Sequence, residues 1–419
     1  MSFTDDLAGV RLTQWSERAL SEAVVVMRAD EIHPMRFVRQ LPKEAWPFIR
    51  HAARNFSQGL MTGDEFQSVV DFTANIYNRA LEKIAFEQRP ETSDILVSLS
   101  STIAHLIPFT AAGRNSFLID RNLISLLGKT DLGDIRLGDI KLPFRAFYLG
   151  FEGGLGFGLP GAPNIIDGAY VEHYVGKNDP AERLTFYITS RQRDETQRKH
   201  GSWIVNHEPH FFAPLSLDNP EQTLEAAMVL AVATRDIALQ PDEEAIDRLQ
   251  HGVQVAREEG VSIGVPSVTG YQRKALFNEE AIPTAKSVIS LICNALCLLS
   301  AEPQNSHAEW PDDAPKTLVD SATNATTAKR QKTAAGQLAE TGFFAVHRVS
   351  LNRDSPYQRE NDPELAASQE VATHWRRGHW RRQAHGPNLV DRRLIWIRPT
   401  LVRSDQGHPE KGRIYTVHS

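Results

Sequence analysis

The sequence predicts an α+β protein: an N-terminal helical bundle, then a mainly antiparallel sheet with packed helices, then a basic C-terminal β segment. Three observations point there. Apolar residues recur at helical spacing through the first part of the chain, and aromatic and β-branched runs cluster between Phe144 and Phe212 before helical patterns return. The last 46 residues, His374 to Ser419, then combine strand-like alternation with ten Arg or Lys. A doubly wound parallel sheet would need strands and helices to alternate along the chain, and they do not.

The helical part rests on two runs. One holds Leu20, Val24, Val25 and Met27; the other holds Phe66, Val69, Val70, Phe72, Ile76, Leu81 and Ile84 and begins after Thr62-Gly63-Asp64, which suits an N-terminal cap. Pro34, Pro42, Pro47, Pro90 and Pro108 cut this region into short or medium helices. No fixed period suggests a repeat array. From Asp131 the pattern changes. Gly133-Asp-Ile-Arg-Leu and Gly138-Asp-Ile-Lys-Leu echo each other, and Ile135, Leu137, Ile140 and Leu142 suggest a short extended pair. Strands follow at 144–151, 169–175, 184–190 and 203–212.

Helices return at Asn219-Pro220-Glu221, where Asn can cap, Pro fits the first turn and Glu complements the helix dipole. Two amphipathic helices are expected over 220–238 and 242–259, and a third, bearing both cysteines, after Pro283. Residues 317–337 lack the apolar surface that offsets ordering, while Phe343 to Leu351 resumes as a strand. The domain reading is a helical domain over 1–130, an α+β domain over 131–302, a flexible linker or insertion over 303–340, and a basic C-terminal β segment over 341–419 that completes the α+β domain.

Composition excludes several classes. The 419 residues exceed one ordinary core, and 41% hydrophobic with 23% charged residues match a soluble globular chain. The longest apolar run, Val288 to Leu299, falls short of the roughly 20 residues that span a bilayer, so no membrane segment is expected. Met1-Ser-Phe-Thr-Asp-Asp-Leu is acidic where an export signal is basic and then apolar, which points to the cytoplasm. Cys293 and Cys297 lie one helical turn apart in that apolar run and read as buried small hydrophobes. They give neither a disulfide framework nor, without neighbouring ligands, a zinc site.

Catalytic motifs are weak. Gly156-Phe-Gly158-Leu-Pro-Gly161 has dinucleotide-binding spacing, but Pro163 and the turn Asp167-Gly168 follow where a helix is required, so a loop is expected. His207-Glu208-Pro209-His210 spaces its histidines three apart across a proline rather than four apart on a helix, which favours a structural role beside Phe211 and Phe212. Asp5-Asp6, Asp242-Glu243-Glu244 and Asp312-Asp313 read as solvated or cap-forming carboxylates. No Gly-x-Ser-x-Gly elbow, kinase signature or phosphate-binding loop occurs. No metal, cofactor or catalytic residue is assigned.

The C-terminus carries the strongest signal. Ten basic and three acidic residues from His374 onward, with three Trp, contrast with 36 basic and 49 acidic residues before it. Such asymmetry reports a polyanionic or acidic partner, because clustered cations create a field that dispersed ones cannot. If 378–383 is extended, His379, Arg381 and Gln383 face one side and Trp380 and Arg382 the other; likewise Leu394, Trp396 and Arg398 oppose Ile395 and Ile397. The candidate partner-binding residues are Arg376, Arg377, Gly378, His379, Trp380, Arg381, Arg382, Arg392, Arg393, Trp396 and Arg398. Arginine clamps phosphate or carboxylate and stacks on indole, Trp380 supplies a stacking or packing surface, and Gly378 permits close approach.

The run Arg377-Gly378-His379-Trp380-Arg381, then Gly386-Pro387, a basic pair, Trp396-Ile397-x-Pro399 and Val402-Arg403 resembles the C-terminal signature of a phage- and plasmid-borne family. That family is named for an anti-CRISPR protein that suppresses biogenesis of the type V effector nuclease. Leu142-Pro143-Phe144-Arg145-Ala146-Phe147-Tyr148 also looks like it. The resemblance implies recognition of a nascent N-terminal peptide during translation, with loss of the encoding messenger RNA. The expectation is therefore a non-enzymatic, cytoplasmic, mobile-element accessory protein that binds a nascent polypeptide or RNA and lowers host defence expression, with ribosome association and oligomeric state left open. The alternative is a metal-independent ribonuclease using His374 or His379 as general acid or base, or a general RNA-binding protein.

Overall fold

The computed structural model describes residues 32–40, 43–81, 92–156, 164–175, 182–192, 211–228, 278–351 and 374–402. Four helices come first: α1 His33–Gln40, α2 Trp46–Ser57, α3 Gly63–Leu81 and α4 Thr92–Ala111. Thr62 begins α3 as its sequence suggests, its Oγ1 accepting from Glu65 N at 3.1 Å. Of the described prolines in this region, two mark helix starts as expected and one does not interrupt its helix. Pro34 and Pro47 occupy first turns, where a missing N–H costs nothing, and Pro108 sits inside the last turn of α4. The run around Leu20 lies outside the described residues, as do Pro42 and Pro90.

A seven-stranded sheet follows, built from β1 Ser116–Ile119, β3 Ala146–Phe151, β4 Asn164–Val175, β5 Glu182–Gln192, β6 Phe211–Ser216, β7 Ser306–Glu309 and β8 Val346–Val349. Its order is β6-β5-β4-β3-β1-β8-β7. Only β1 makes parallel neighbours, with β3 and β8; the remaining pairings are antiparallel. The fold is thus α+β, with helices before a mixed, mainly antiparallel sheet. The sequence reading placed no strand at 116–119, because Ser116-Phe-Leu-Ile is too short to show alternation. Both of its faces are buried, and such strands read as continuous apolar runs.

Alternation along β1 and β3 sends side chains into two cores. Leu118 and Tyr148 pack with Tyr170 against α1 to α4, through Met35, Trp46, Ile49, Val69, Ile103 and Phe109. Phe117, Ile119, Phe147, Leu149 and Phe151 face the opposite layer, dominated by α6 (Asn278–Ala301). Cys293 and Cys297 are fully buried in that helix, and burial pushes both thiols up. Over Pro283–Ala301 the helix is long and apolar enough to cross a membrane, and 67% of that window is buried inside this fold.

Between the bundle and β3 lie α5 (Arg121–Leu127), capped by Asp120 Oδ1 on Asn122 N at 2.8 Å, and the short β2 (Thr130–Asp131). The extended pair expected from the Gly-Asp-Ile echo does not form. Leu137 N and Gly138 N donate instead to Gln222 O at 3.0 Å and Pro220 O at 2.9 Å, and a 3₁₀ turn over Leu137–Asp139 buries Leu137. The helix expected from 220 begins within 224–228, and its continuation, the 242–259 helix and residues 203–210 lie outside the described residues.

The stretch 303–340, expected as a flexible linker or insertion, carries β7, α7 (Lys316–Asn324) and α8 (Ala328–Glu340). Its composition misleads because α8 is rich in alanine, which favours helix without side-chain bulk; Ala334, Leu338 and Ala339 suffice to seat it. Glu340 also pairs with Arg50 of α2.

The chain ends in β9 His374–Arg376, β10 Gly378–His385, β11 Asp391–Ile397 and β12 Thr400–Val402. β10 and β11 form a hairpin joined by β2, and β9 pairs with β12 beyond it.

Candidate functional site

The hairpin register sets Trp380 opposite Trp396, Arg382 opposite Leu394, Arg381 opposite Ile395 and His379 opposite Ile397. Residues directly opposite share a face. Trp380, Trp396 and Leu394 therefore point together into the α6 core, at 2%, 4% and 8% exposure. The two indoles stack with centroids 5.9 Å apart.

A buried polar ring closes beneath them. Trp380 Nε1 donates to Asn294 Oδ1 at 2.7 Å, Asn294 Nδ2 donates to Thr130 O at 3.2 Å and Ser290 O at 3.0 Å, and Trp396 Nε1 donates to Thr130 Oγ1 at 3.1 Å. Thr130 Oγ1 in turn donates to Leu126 O at 2.9 Å. Each buried donor is satisfied, as a low-dielectric site requires. Asn294 and Thr130 belong to no motif the sequence offered. One signal existed: Asn294 is the lone amide in the apolar run Val288 to Leu299.

Gly378 has a steric role. A Cβ there would lie 2.6 Å from Pro399 Cδ and 2.8 Å from Thr130 Oγ1, so the kink between β9 and β10 requires glycine. Arg382 Nε lies 2.8 Å from Asp139 Oδ2, close enough for an ion pair although its N–H does not point along the contact. Asp139 also accepts from Arg136 N at 2.9 Å. Arg398 reaches Glu302 at 3.9 Å and lies 5.6 Å over the Trp396 ring.

The outer face is different. His379, Arg381 and Arg393 are exposed there, beside half-buried Gln383, Ile395 and Ile397. Arg376 and Arg377 are exposed at the kink. Arg392 is exposed and donates from Nη1 to Leu389 O at 2.8 Å and Asp391 O at 3.2 Å. The expected set is therefore divided: Gly378, Trp380, Arg382, Trp396 and Arg398 bind the hairpin to the rest of the fold, while Arg376, Arg377, His379, Arg381, Arg392 and Arg393 are exposed. Of the alternative catalytic pair, His379 is exposed on the outer face and His374 lies in β9.

Among the described residues no group of three or more His, Cys, Asp or Glu is placed to hold a metal ion. His207 to His210, and Phe157 to Gly161 of the glycine-rich loop, lie outside them.

A family model described as AcrVA2-like, the anti-CRISPR type V subtype A2 family, matches residues 117–404, from β1 to just past β12. No curated protein matches the chain. A solved structure titled as the crystal structure of AcrVA2 aligns over 88% of this chain and 97% of its own, at 13% identity and a TM-score of 0.37.

Proposed function

This chain belongs to the AcrVA2-like family of type V anti-CRISPR proteins, and from that premise we propose that it lowers host defence expression by binding a nascent polypeptide or RNA on the outer face of its C-terminal hairpin. The family supports an anti-CRISPR-like accessory function. One observation supports the surface: alternation along a single hairpin anchors Trp380 and Trp396 in the core and leaves His379, Arg381 and Arg393 exposed together.

Guanidiniums at such positions bind carboxylate or phosphate equally well. The rest of the face favours polypeptide. Single-stranded RNA sites stack bases on accessible rings, and here both hairpin tryptophans are buried, leaving the smaller His379 imidazole as the exposed ring of the face, while Ile395 and Ile397 beside the arginines offer apolar contact to a peptide side chain. The site of action is the cytoplasm, where defence proteins are translated.

The test is made in cells carrying an active type V system challenged with a targeted plasmid. The wild-type protein should raise transformation and lower the amount of effector nuclease. Arg381→Ala with Arg393→Ala removes two charge-assisted contacts of about 1.5–3 kcal/mol each, enough to cut protection at least tenfold. A double variant that protects as well as wild type removes this face from the function.

A further inference from the structure

Between β10 and β11 the chain turns through Gly386-Pro387-Asn388-Leu389-Val390, and the tip of that turn is aliphatic. Leu389 is 61% exposed and Val390 76%, the two most exposed large apolar side chains among the described residues. The backbone beneath them is held in an unfavourable form. Asn388 has φ 56° and ψ 17°, and Leu389 has φ 56°. Asparagine visits this left-handed region readily; leucine does not, because its Cβ crowds the carbonyl.

Three contacts hold the shape. Leu389 N donates to Gly386 O at 3.1 Å, and Arg392 Nη1 donates to Leu389 O at 2.8 Å and Asp391 O at 3.2 Å. Gly386, with φ +77°, lets the Asp391 carboxylate close over it, since a Cβ there would stand 2.5 Å from Asp391 Oδ2. The carboxylate at the tip is thereby drawn back onto the turn, while Arg392 and Arg393 stay exposed directly behind the aliphatic pair.

Left-handed backbone helps close the hairpin and suits Asn388, but it does not call for leucine at 389, and neither Leu389 nor Val390 gains packing within this chain, because both face solvent. Strain of this kind is retained where a function uses it. A fixed shape is rewarded by a fixed complement: acyl chains, unstructured peptides and single-stranded RNA adapt to any presented shape, whereas a preformed pocket selects one. The neighbouring cations call for carboxylates around that pocket. We infer that the Leu389–Val390 tip is a docking key for a folded partner protein presenting an apolar pocket rimmed by Asp and Glu. Arg393 borders both this tip and the outer face, but the apolar key itself, Leu389 and Val390, lies outside the outer-face set, so the Leu389→Gly test is independent of polymer binding there.

The test places a photoreactive group at the tip of the full-length protein, Val390→p-benzoylphenylalanine, with Asp320→p-benzoylphenylalanine on α7 as a remote control. After irradiation in bacterial cells, adducts are mapped to the residue by mass spectrometry. The expected result is one discrete protein adduct, absent from the control, whose linked residues are apolar with Asp or Glu alongside. Its yield should fall at least tenfold with Leu389→Gly, which keeps the left-handed backbone and removes only the side chain. An unchanged thermal transition shows that this second variant keeps its fold. Adducts with lipid or RNA, a spread of many proteins, no discrete adduct, or a yield indifferent to Leu389→Gly would each overturn the inference.

Discussion

Trp380 and Arg381 are consecutive residues of one strand, yet Trp380 is 2% exposed and bonded to Asn294 while Arg381 faces solvent across from Ile395. The hairpin's inner face is a piece of the core; its outer face is a surface from which charge is presented. A single motif can therefore be informative for two unrelated reasons. The tryptophans, Gly378 and Pro399 fix where the hairpin sits, and the arginines between them inherit their position from that anchoring. The sharpest way to test this division is to replace inner and outer residues one at a time and compare stability with partner binding.

The largest loss should come from Trp396→Ala. It removes a buried indole, its stacking partner contact and the donor to Thr130, and such truncations cost about 3–5 kcal/mol. Chemical denaturation should show the loss in its midpoint. Thiol labelling gives an independent reading, because Cys293 adjoins Asn294 and is fully buried, with its pKa raised by that burial. Native wild-type protein should resist a thiol reagent that labels the variant readily. A Trp396→Ala protein that is as stable and as protected as wild type would dissolve the distinction between the faces.

Gly378→Ala should come next. Its Cβ would meet a proline ring and the Thr130 hydroxyl below 3 Å, and neither is the free end of a flexible side chain. Overpacking of this kind costs about 1–3 kcal/mol. The discriminating measurement is amide exchange: protection should fall in β9, β10 and β2 and stay intact in α1 to α4, on the far side of the sheet. Uniform loss would mean that the kink is part of the whole core.

The sequence made part of this legible. Period-two alternation separated His379, Arg381 and Gln383 from Trp380 and Arg382, and the strand-then-helix order gave α+β. Three things were not legible, each for a physical reason. The central strand Ser116–Ile119 is too short for a period and is buried on both faces. Asn294 and Thr130 are polar residues whose partners lie 86 and 266 residues away, so no local pattern marks them. The charge of Arg382 and Arg398 looked available because Asp139 and Glu302, their ion partners, are remote in sequence. Alternation tells which face a residue takes and leaves open whether that face meets water or protein.

Arg382→Ala sharpens that last point. It sits among the exposed arginines in sequence but pairs with Asp139, at 19% and 12% side-chain exposure. Loss of a half-buried pair should cost about 1 kcal/mol, the upper end of what exposed pairs contribute. The effect should vanish in an Asp139→Asn background, since the carboxylate it serves is already gone. Additive losses in that double-mutant cycle would show that Arg382 does not act through Asp139.

The smallest expected change in stability belongs to Arg381→Ala with Arg393→Ala. Both side chains stand on the outer face, across strands and one register step removed from each other's partner, Arg381 facing Ile395 and Arg393 facing Gln383. Exposed substitutions away from caps, cavities and buried networks stay within about 0.5 kcal/mol. If anything the double variant should be neutral, because removing two like charges from a basic segment relieves repulsion that salt otherwise screens. Its denaturation midpoint, measured at low and at high salt, should therefore match wild type at high salt and equal or slightly exceed it at low salt. A midpoint that drops as far as that of Arg382→Ala would place these arginines in the structural set, and the loss of protection expected from the same variant would then report misfolding instead of a missing contact.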